Sequence, residues 1–240
     1  MDTFLPARCV VIILLFALGM PVGAAGCRKE KIATSGSQRM MSGTTPLMLA
    51  AEKGDLHTVQ KLLANGASAN AANSEGFTAL HYATKCGDVR VVKALLKAGA
   101  DVNARTNQNV TPLIASINMA WGKPEISLAL INARADVNVA DSDGDTALWI
   151  ATTESSTEVV GALLKRGADP NVRSRSPGFA GDTPLHIAAI NGLVDAVKLL
   201  LEYGADTGIR NAAGMTPLEV ANPKWPEIPR LLMKVSRGGK

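Results

Sequence analysis

Two histidines in the same local setting are the side chains of this 240-residue chain best suited to chemistry. His81 and His186 each stand three residues after a threonine, in the pattern Thr-x-Leu-His. An imidazole can act as a general base or bind a metal ion near neutral pH. Four more segments repeat the pattern but have a different residue at the histidine position, namely Met48, Ile114, Trp149 and Glu219. A structural role explains this variation better than catalysis.

A second candidate is the aspartate cluster Asp141-Ser142-Asp143-Gly144-Asp145, which is similar to the opening of a calcium-binding loop. Calcium prefers several carboxylate oxygens and, twelve residues from the loop start, a bidentate glutamate. Here the glycine comes two residues too early and Thr152 occupies the glutamate position. The cluster is therefore interpreted as a solvated turn.

Sequence motifs of catalysis are missing from the chain. It contains no Gly-x-Ser-x-Gly elbow, no phosphate-binding glycine loop and no His/Cys cluster at metal-ligand spacing. We predict no enzymatic activity, no cofactor, no metal site and no small-molecule substrate. The net charge of +4 is scattered, with one dense basic run at 28–31, so nucleic-acid binding is not expected either.

The N-terminus has the order of features that is typical of a secretory signal. Arg8 precedes the apolar run 10–20, and small residues follow Pro21. The segment 24–27, Ala-Ala-Gly-Cys, resembles the lipobox of bacterial lipoproteins. The resemblance implies that Cys27 is lipidated, that residues 1–26 are removed, and that residues 27–42 form a flexible tether.

The localisation that follows is the bacterial cell envelope, with the protein facing the periplasm and held in the membrane by its lipid. Arg28 follows the cysteine, where the family uses aspartate to retain proteins in the inner membrane, so the outer membrane is favoured. Two alternatives stay open: ordinary cleavage near Ala24 or Ala25 that releases a soluble periplasmic protein, and an uncleaved anchor.

A repeat in the sequence predicts the helices and turns that position the remaining residues. Its Thr-x-Leu segments begin 33, 33, 35, 37 and 33 residues apart, at Thr45, Thr78, Thr111, Thr146, Thr183 and Thr216. A second phrase, such as Gly99-Ala100-Asp101-Val102-Asn103, marks the far end of the repeats. The threonine suits a helix N-cap, the apolar residues recur at helical spacing, and the glycine suits a helix end.

This period and these phrases resemble the ankyrin repeat, whose signature includes Thr-Pro-Leu-His. The resemblance implies an all-α solenoid over residues 43–240, in which each repeat has two antiparallel helices and a hairpin finger. We expect about six repeats, the last one a truncated cap with a first helix to Ala221 and a second helix near residues 228–235. In this family the imidazole of the repeat signature bonds to neighbouring backbone and ties repeats together.

Two departures from the regular repeat are insertions. Two extra residues fall in the helix–helix turn at 120–124, which contains Trp121, and four extra residues lengthen one finger at 173–180. The longer finger brings two arginines and an aromatic residue that the fold does not require, so it is the preferred contact site. The Trp121 turn is the rival site.

The resemblance implies non-catalytic binding of a protein partner through a concave strip of fingers and first helices. The predicted contact residues lie one before or seven to eight after each repeat threonine, or on the fingers: Phe77, Lys85, Arg105, Asp145, Arg173, Arg175, Phe179, Asp182 and Asn191. A more specific alternative is an inhibitor or immunity-type protein for another exported enzyme. The remaining alternative, an enzyme with its site on the fingers, requires a nucleophile–base pair within hydrogen-bond reach.

Overall fold

The computed structural model describes residues 42–119 and 124–238. Across these residues the chain forms eleven helices in a regular order. They are α1 Pro46–Glu52, α2 Leu56–Ala64, α3 Ala79–Cys86, α4 Val89–Lys97, α5 Pro112–Met119, α6 Pro124–Asn132, α7 Ala147–Thr153, α8 Thr157–Lys165, α9 Pro184–Asn191, α10 Val194–Glu202 and α11 Glu227–Gly238. None of these helices is long and apolar enough to cross a membrane.

The helices form antiparallel pairs that stack on one another. The first helices α1, α3, α5, α7 and α9 pack in succession, and the second helices α2, α4, α6, α8, α10 and α11 form a parallel row. Small residues of the first helices, such as Ala51, Ala83, Ala151 and Ala188, are fully buried, which allows close packing between helices. Each pair buries its apolar face against its neighbours, so stability depends on stacking.

The repeat threonine caps each first helix as the sequence predicts. The hydroxyl of Thr45 accepts a hydrogen bond from the backbone N–H of Met48 at 3.3 Å, and Thr146 accepts one from Trp149 at 3.4 Å. Proline follows the cap in several copies, where its fixed φ suits the first helical turn. The cap therefore sets where each first helix begins.

Between the repeats lie five fingers, which we number 1 to 5: residues 66–77, 99–110, 134–145, 167–182 and 204–215. Successive finger tips are joined by backbone hydrogen bonds of 2.9–3.0 Å, from Asn107 to Glu75, Ser142 to Gln108, Arg175 to Asp143 and Ala212 to Ala180. The tips thus form a continuous ladder along one edge of the stack, which aligns the side chains of neighbouring fingers.

The bases of the fingers are joined by the asparagine that ends the phrase Gly-Ala-Asp-x-Asn. Asn171, for example, donates to the carbonyl of Gly204 at 3.2 Å and accepts from the backbone N–H of Asp206 at 2.8 Å. Asn70 and Asn138 make the same two bonds to the next repeat. The asparagine therefore links adjacent repeats, a role that the sequence pattern alone does not reveal.

The last repeat differs from its prediction. Residues 217–220 form only a turn instead of a first helix to Ala221, because Pro223 and Pro226 follow within a few residues and cannot continue a helix. The final helix α11 has twelve residues and is longer than the predicted 228–235. Its Ile228 and Leu232 are buried, and α11 packs against α10, so it covers the C-terminal end of the stack.

Candidate protein-binding surface

We use the term finger face for the five fingers together with the exposed side of the first helices. Residues seven positions after each repeat threonine lie at the C-terminal ends of the first helices. There Lys85 of α3 forms an ion pair of 2.7 Å with Glu52 of α1, and both side chains are partly exposed. The predicted contact residue Lys85 thus lies on the finger face, where it is paired within the molecule.

Three other predicted residues also lie on this face. Phe77 is half-buried and packs edge-to-face on His81, with ring centroids 5.6 Å apart. Arg105 is exposed on finger 2 and donates to the side-chain oxygen of Asn109 at 3.2 Å. Asn191 is exposed at the end of α9. Their accessibility differs, with Arg105 and Asn191 reachable from solvent and Phe77 only partly so.

The structural role predicted for the two histidines is confirmed. The backbone N–H of Thr78 donates to Nδ1 of His81 at 3.2 Å, and Nε2 of His81 lies 3.1 Å from the carbonyl oxygen of Val110 in the next repeat. His186 bonds to Thr183 and to Met215 in the same way. Because Nδ1 accepts, Nε2 carries the proton and donates. Burial lowers the pKa of His81 to about 4, so the ring is neutral.

Trp149 replaces the histidine in the fourth repeat and makes the equivalent link. Its indole N–H donates to the carbonyl oxygen of Asp182 at 3.2 Å. Asp182 directly precedes the threonine of the next repeat, as Val110 and Met215 do. The larger ring is completely buried. Trp149 therefore preserves the bond between repeats, although it needs more covering structure than an imidazole.

That covering structure is the lengthened finger 4. Phe179 is half-buried and packs edge-to-face on Trp149, with ring centroids 5.6 Å apart. Phe179 is therefore less exposed than a contact residue was expected to be, because one side of its ring packs on Trp149. The extra residues close over the large side chain of Trp149.

The exposure predicted for Asp145 and Asp182 is wrong, because both are buried, with 2% and 5% of their surface accessible. Ser176 of finger 4 donates its hydroxyl to Oδ2 of Asp145 at 2.7 Å. Asn211 of finger 5 donates its amide to Oδ1 of Asp182 at 2.8 Å. Burial raises the pKa of Asp182, and the bond from Asn211 opposes that shift. In both cases the following finger covers the carboxylate.

The two arginines of finger 4 are exposed, as predicted. Arg173 reaches across to finger 5 and donates from Nη2 to the carbonyl oxygen of Arg210 at 2.7 Å. The side chain of Arg175 lies over Gly144 of finger 3, where an added Cβ would come within 2.7 Å of its Nε. Among the described residues no carboxylate lies within ion-pair distance of either guanidinium.

Sequence reasoning missed the apolar part of this surface. Every exposed large apolar side chain among the described residues lies after residue 189: Ile190, Tyr203, Met215, Trp225, Met233 and Val235. Three of them lie on the finger face or beside it. Ile190 is seven residues after a repeat threonine and Met215 is one before, so the spacing rule used for the contact residues could have predicted both. Trp225 lies against Gly192 at the end of α9.

The aspartate cluster of finger 3 is less solvated than the sequence suggests. Oδ1 of Asp141 accepts the backbone N–H groups of Asp143 and Asp145 at 3.0 and 2.9 Å. Burial raises the pKa of Asp141 to about 6, with a further contribution from the charge of Asp145. Across residues 42–119 and 124–238 no group of three acidic, His or Cys side chains is arranged to hold a metal ion. The cluster closes the finger tip.

Two predicted features, Cys27 and Trp121, lie outside the described residues. Their roles stay predictions. The same holds for the boundaries of the signal (1–26) and the tether (27–42).

The stack of capped helix pairs with aligned fingers defines a class of protein, the helical-repeat solenoids, in which neighbouring repeats form an extended surface. Family models described as ankyrin repeats match residues 18–106, 104–174 and 163–221. The chain belongs to the ankyrin-repeat family. Its predicted all-α ankyrin solenoid is confirmed, whereas the domain boundary at residue 43 stays a prediction, since the family match begins at residue 18.

Solved structures of the same fold include two with substantial sequence identity. An ankyrin-repeat domain from Acinetobacter baumannii AYE is 30% identical with a TM-score of 0.72, over 80% of this chain and 97% of that one. The ankyrin-repeat domain of Bcl-3, a member of the IkappaB family, is 26% identical with a TM-score of 0.61, over 82% and 100%. A comparison with curated protein sequences finds no significant match. Ankyrin-repeat domains typically mediate protein–protein interaction and are generally non-catalytic scaffolds.

Proposed function

We propose that this protein is a lipid-tethered component of the bacterial cell envelope that binds a protein partner through the finger face. The observation that carries the binding surface is that the exposed apolar side chains of Ile190 and Met215 lie on the same face as the exposed arginines of fingers 4 and 5. Exposed apolar groups that adjoin arginine are typical of protein interfaces. The contact surface is therefore the C-terminal half of the finger face.

Site-specific crosslinking tests this surface. A photo-crosslinking residue would replace Ile190 or Arg105 on the finger face, or Lys93 or Lys165 on the second helices, all of which are exposed. After irradiation in cell envelopes, we expect one partner band from the two finger-face positions, stronger from Ile190, and none from the second-helix positions. A band from Lys93 or Lys165 alone, or no band from any position, would contradict the proposed surface.

The tether has its own test, supported by the small residues that precede Cys27. Cys27→Ala removes the thiol that would accept the lipid, so the variant should leave the membrane fraction or accumulate as an unprocessed precursor. Cys86→Ala is the matched control and should fractionate as the wild type does. A wild-type mature N-terminus at Ala25 or Gly26 would contradict lipidation and favour a soluble periplasmic protein.

A further inference from the structure

A cavity of about 360 Å³ lies between fingers 4 and 5, on the finger face. Its walls include Phe179 and Ala180 of finger 4 and Ala212 and Ala213 of finger 5, and Asp182 and Asn211 also line it. This volume is at the lower end of the range of about 300–1,000 Å³ for ligand sites. The cavity is open to solvent and has both apolar and polar walls, so a side chain of a partner protein can enter it.

The two walls of the cavity are fixed to each other in the unbound protein. The backbone N–H of Ala212 donates to the carbonyl of Ala180 at 2.9 Å, and Asn211 bonds to Asp182 at 2.8 Å. Arg173 donates across the same gap to the carbonyl of Arg210 at 2.7 Å. A cavity that is already formed loses little conformational entropy when a partner enters.

The charge around the cavity is positive where a partner can reach it. The carboxylate of Asp182 is buried in the cavity wall and accepts a hydrogen bond from the amide of Asn211, so the charges that an approaching partner meets first are those of the exposed arginines. The exposed cationic groups beside the cavity are the guanidinium groups of Arg173 and Arg210, of which Arg210 is paired with Glu219 at 3.1 Å. Arg175 lies on the other side of finger 4, over Gly144 of finger 3. Arginine binds carboxylates through several directed N–H donors. Arg173 uses Nη2 for the carbonyl of Arg210 and keeps its other N–H groups for an acidic side chain of a partner.

We propose that this cavity is a socket for an apolar side chain in an acidic segment of the partner protein, with Arg173 binding a flanking carboxylate. The proposal rests on the proposed protein-binding function and specifies the chemistry of the partner. A protein is favoured over a nucleic acid because the exposed cations beside the cavity are few, whereas phosphate binding requires a clustered basic footprint.

Three labelled peptides test the socket by fluorescence anisotropy with the full-length protein. One has a central leucine flanked by two glutamates on each side, the second has alanine at the centre, and the third has lysines as flanks. We expect the leucine–glutamate peptide to bind at least tenfold more tightly than either of the others. Equal binding of the three peptides, or no binding of the acidic peptide up to about 1 mM, would overturn the proposal.

Protein variants locate the binding to this cavity. Arg173→Ala should weaken binding of the leucine–glutamate peptide at least tenfold, whereas Arg90→Ala on α4 should not change its affinity. Ala212→Leu should fill the cavity and remove the preference for leucine over alanine, whereas Ala98→Leu, also an exposed alanine, should retain it. An unchanged affinity in Arg173→Ala, a retained preference for leucine in Ala212→Leu, or tighter binding of a single-stranded oligonucleotide than of the peptide would overturn the proposal.

The crosslinking experiment separates this proposal from the proposed function. If a partner crosslinks from Ile190 with equal yield in the wild type and in the arginine and Ala212 variants, the finger face binds a protein but the socket does not contribute. If the peptide binds as expected and no envelope protein crosslinks from the finger face, the socket proposal is supported and the proposed envelope partner is contradicted.

Discussion

At the scale of single residues, one position at the finger tip shows how the same backbone geometry is obtained with different side chains. In fingers 1 and 5 this position is Asn73 and Asn211, and each amide oxygen accepts two backbone N–H bonds of 2.9–3.0 Å. In finger 3 the position is Asp141, whose carboxylate accepts the same two bonds. Since an amide makes these bonds without a charge, the aspartate carries a desolvation cost that asparagine avoids.

We therefore expect Asp141→Asn to raise the free energy of unfolding at pH 7.5 by an amount on the order of 1 kcal/mol. The gain is smaller than the pKa shift alone would imply, because the side chain of Asp141 is partly exposed. Burial raises the folded-state pKa of Asp141 from 3.8 to about 6, so folding takes up a proton between these values. Wild-type stability contributed by this group is thus present below about pH 4 and is lost as the pH rises through 6. Urea denaturation at pH 7.5 and at pH 4 should show that the difference in the free energy of unfolding between Asp141→Asn and the wild type shrinks towards zero at pH 4. Asp143→Asn, on the exposed tip, is the control. A difference that is the same at pH 4 and pH 7.5 would contradict burial as the cause.

At the scale of elements, finger 4 and helix α7 form one unit in which a large core residue requires a longer loop. Trp149 occupies a histidine position, and Phe179 of the inserted segment packs on its ring. The four-residue insertion can be read directly from the repeat spacing, but its purpose cannot. The sequence does not show that a finger folds over a side chain more than 25 residues earlier.

A double-mutant cycle tests this unit. Phe179→Ala should lower the free energy of unfolding by about 2 kcal/mol, since it removes part of the cover over Trp149. In a Trp149→His background the same change should cost less, with a coupling energy of about 0.5–1.5 kcal/mol for the edge-to-face pair. Arg175→Ala, on the same finger but exposed, should leave stability within about 0.5 kcal/mol. Additive effects in chemical denaturation would show that the two rings do not stabilise each other.

The parts of the fold that can be predicted from the sequence are those that depend on residues within a single repeat. The threonine caps, the helix pairs and the linking histidines follow from phrases that recur at a nearly constant period. The burial of Asp145 and Asp182 depends instead on Ser176 and Asn211 of the following finger. The turn at 217–220 depends on prolines that come after it. Contacts between repeats therefore account for most of the differences from the prediction.

At the scale of the whole molecule, each repeat is stabilised by the repeats beside it, because each helix pair makes its main contacts with the neighbouring pairs. The C-terminal end is covered by α11, whose Ile228 and Leu232 are buried, although the last first helix is reduced to a turn. The exposed apolar side chains after residue 189 occur in this same part of the molecule. The part of the molecule in which the last first helix is reduced to a turn is thus also the part that carries the exposed large apolar side chains.

Adjacent residues of α11 provide a matched test of this arrangement. Leu232 is 1% exposed and Met233 is 39% exposed, so Leu232→Ala should lower the free energy of unfolding by about 2–4 kcal/mol and Met233→Ala by less than about 0.5 kcal/mol. Because a solenoid can open locally from one end, hydrogen exchange in the Leu232→Ala variant should accelerate in α10 and α11 and remain unchanged in α1 to α4. Urea denaturation gives the free energy of unfolding, and hydrogen exchange followed by mass spectrometry gives the exchange rate in each helix.

Equal acceleration of exchange in all helices would show that the repeats unfold as one cooperative unit. Equal effects of the two substitutions would show that α11 does not cap the stack through its buried face.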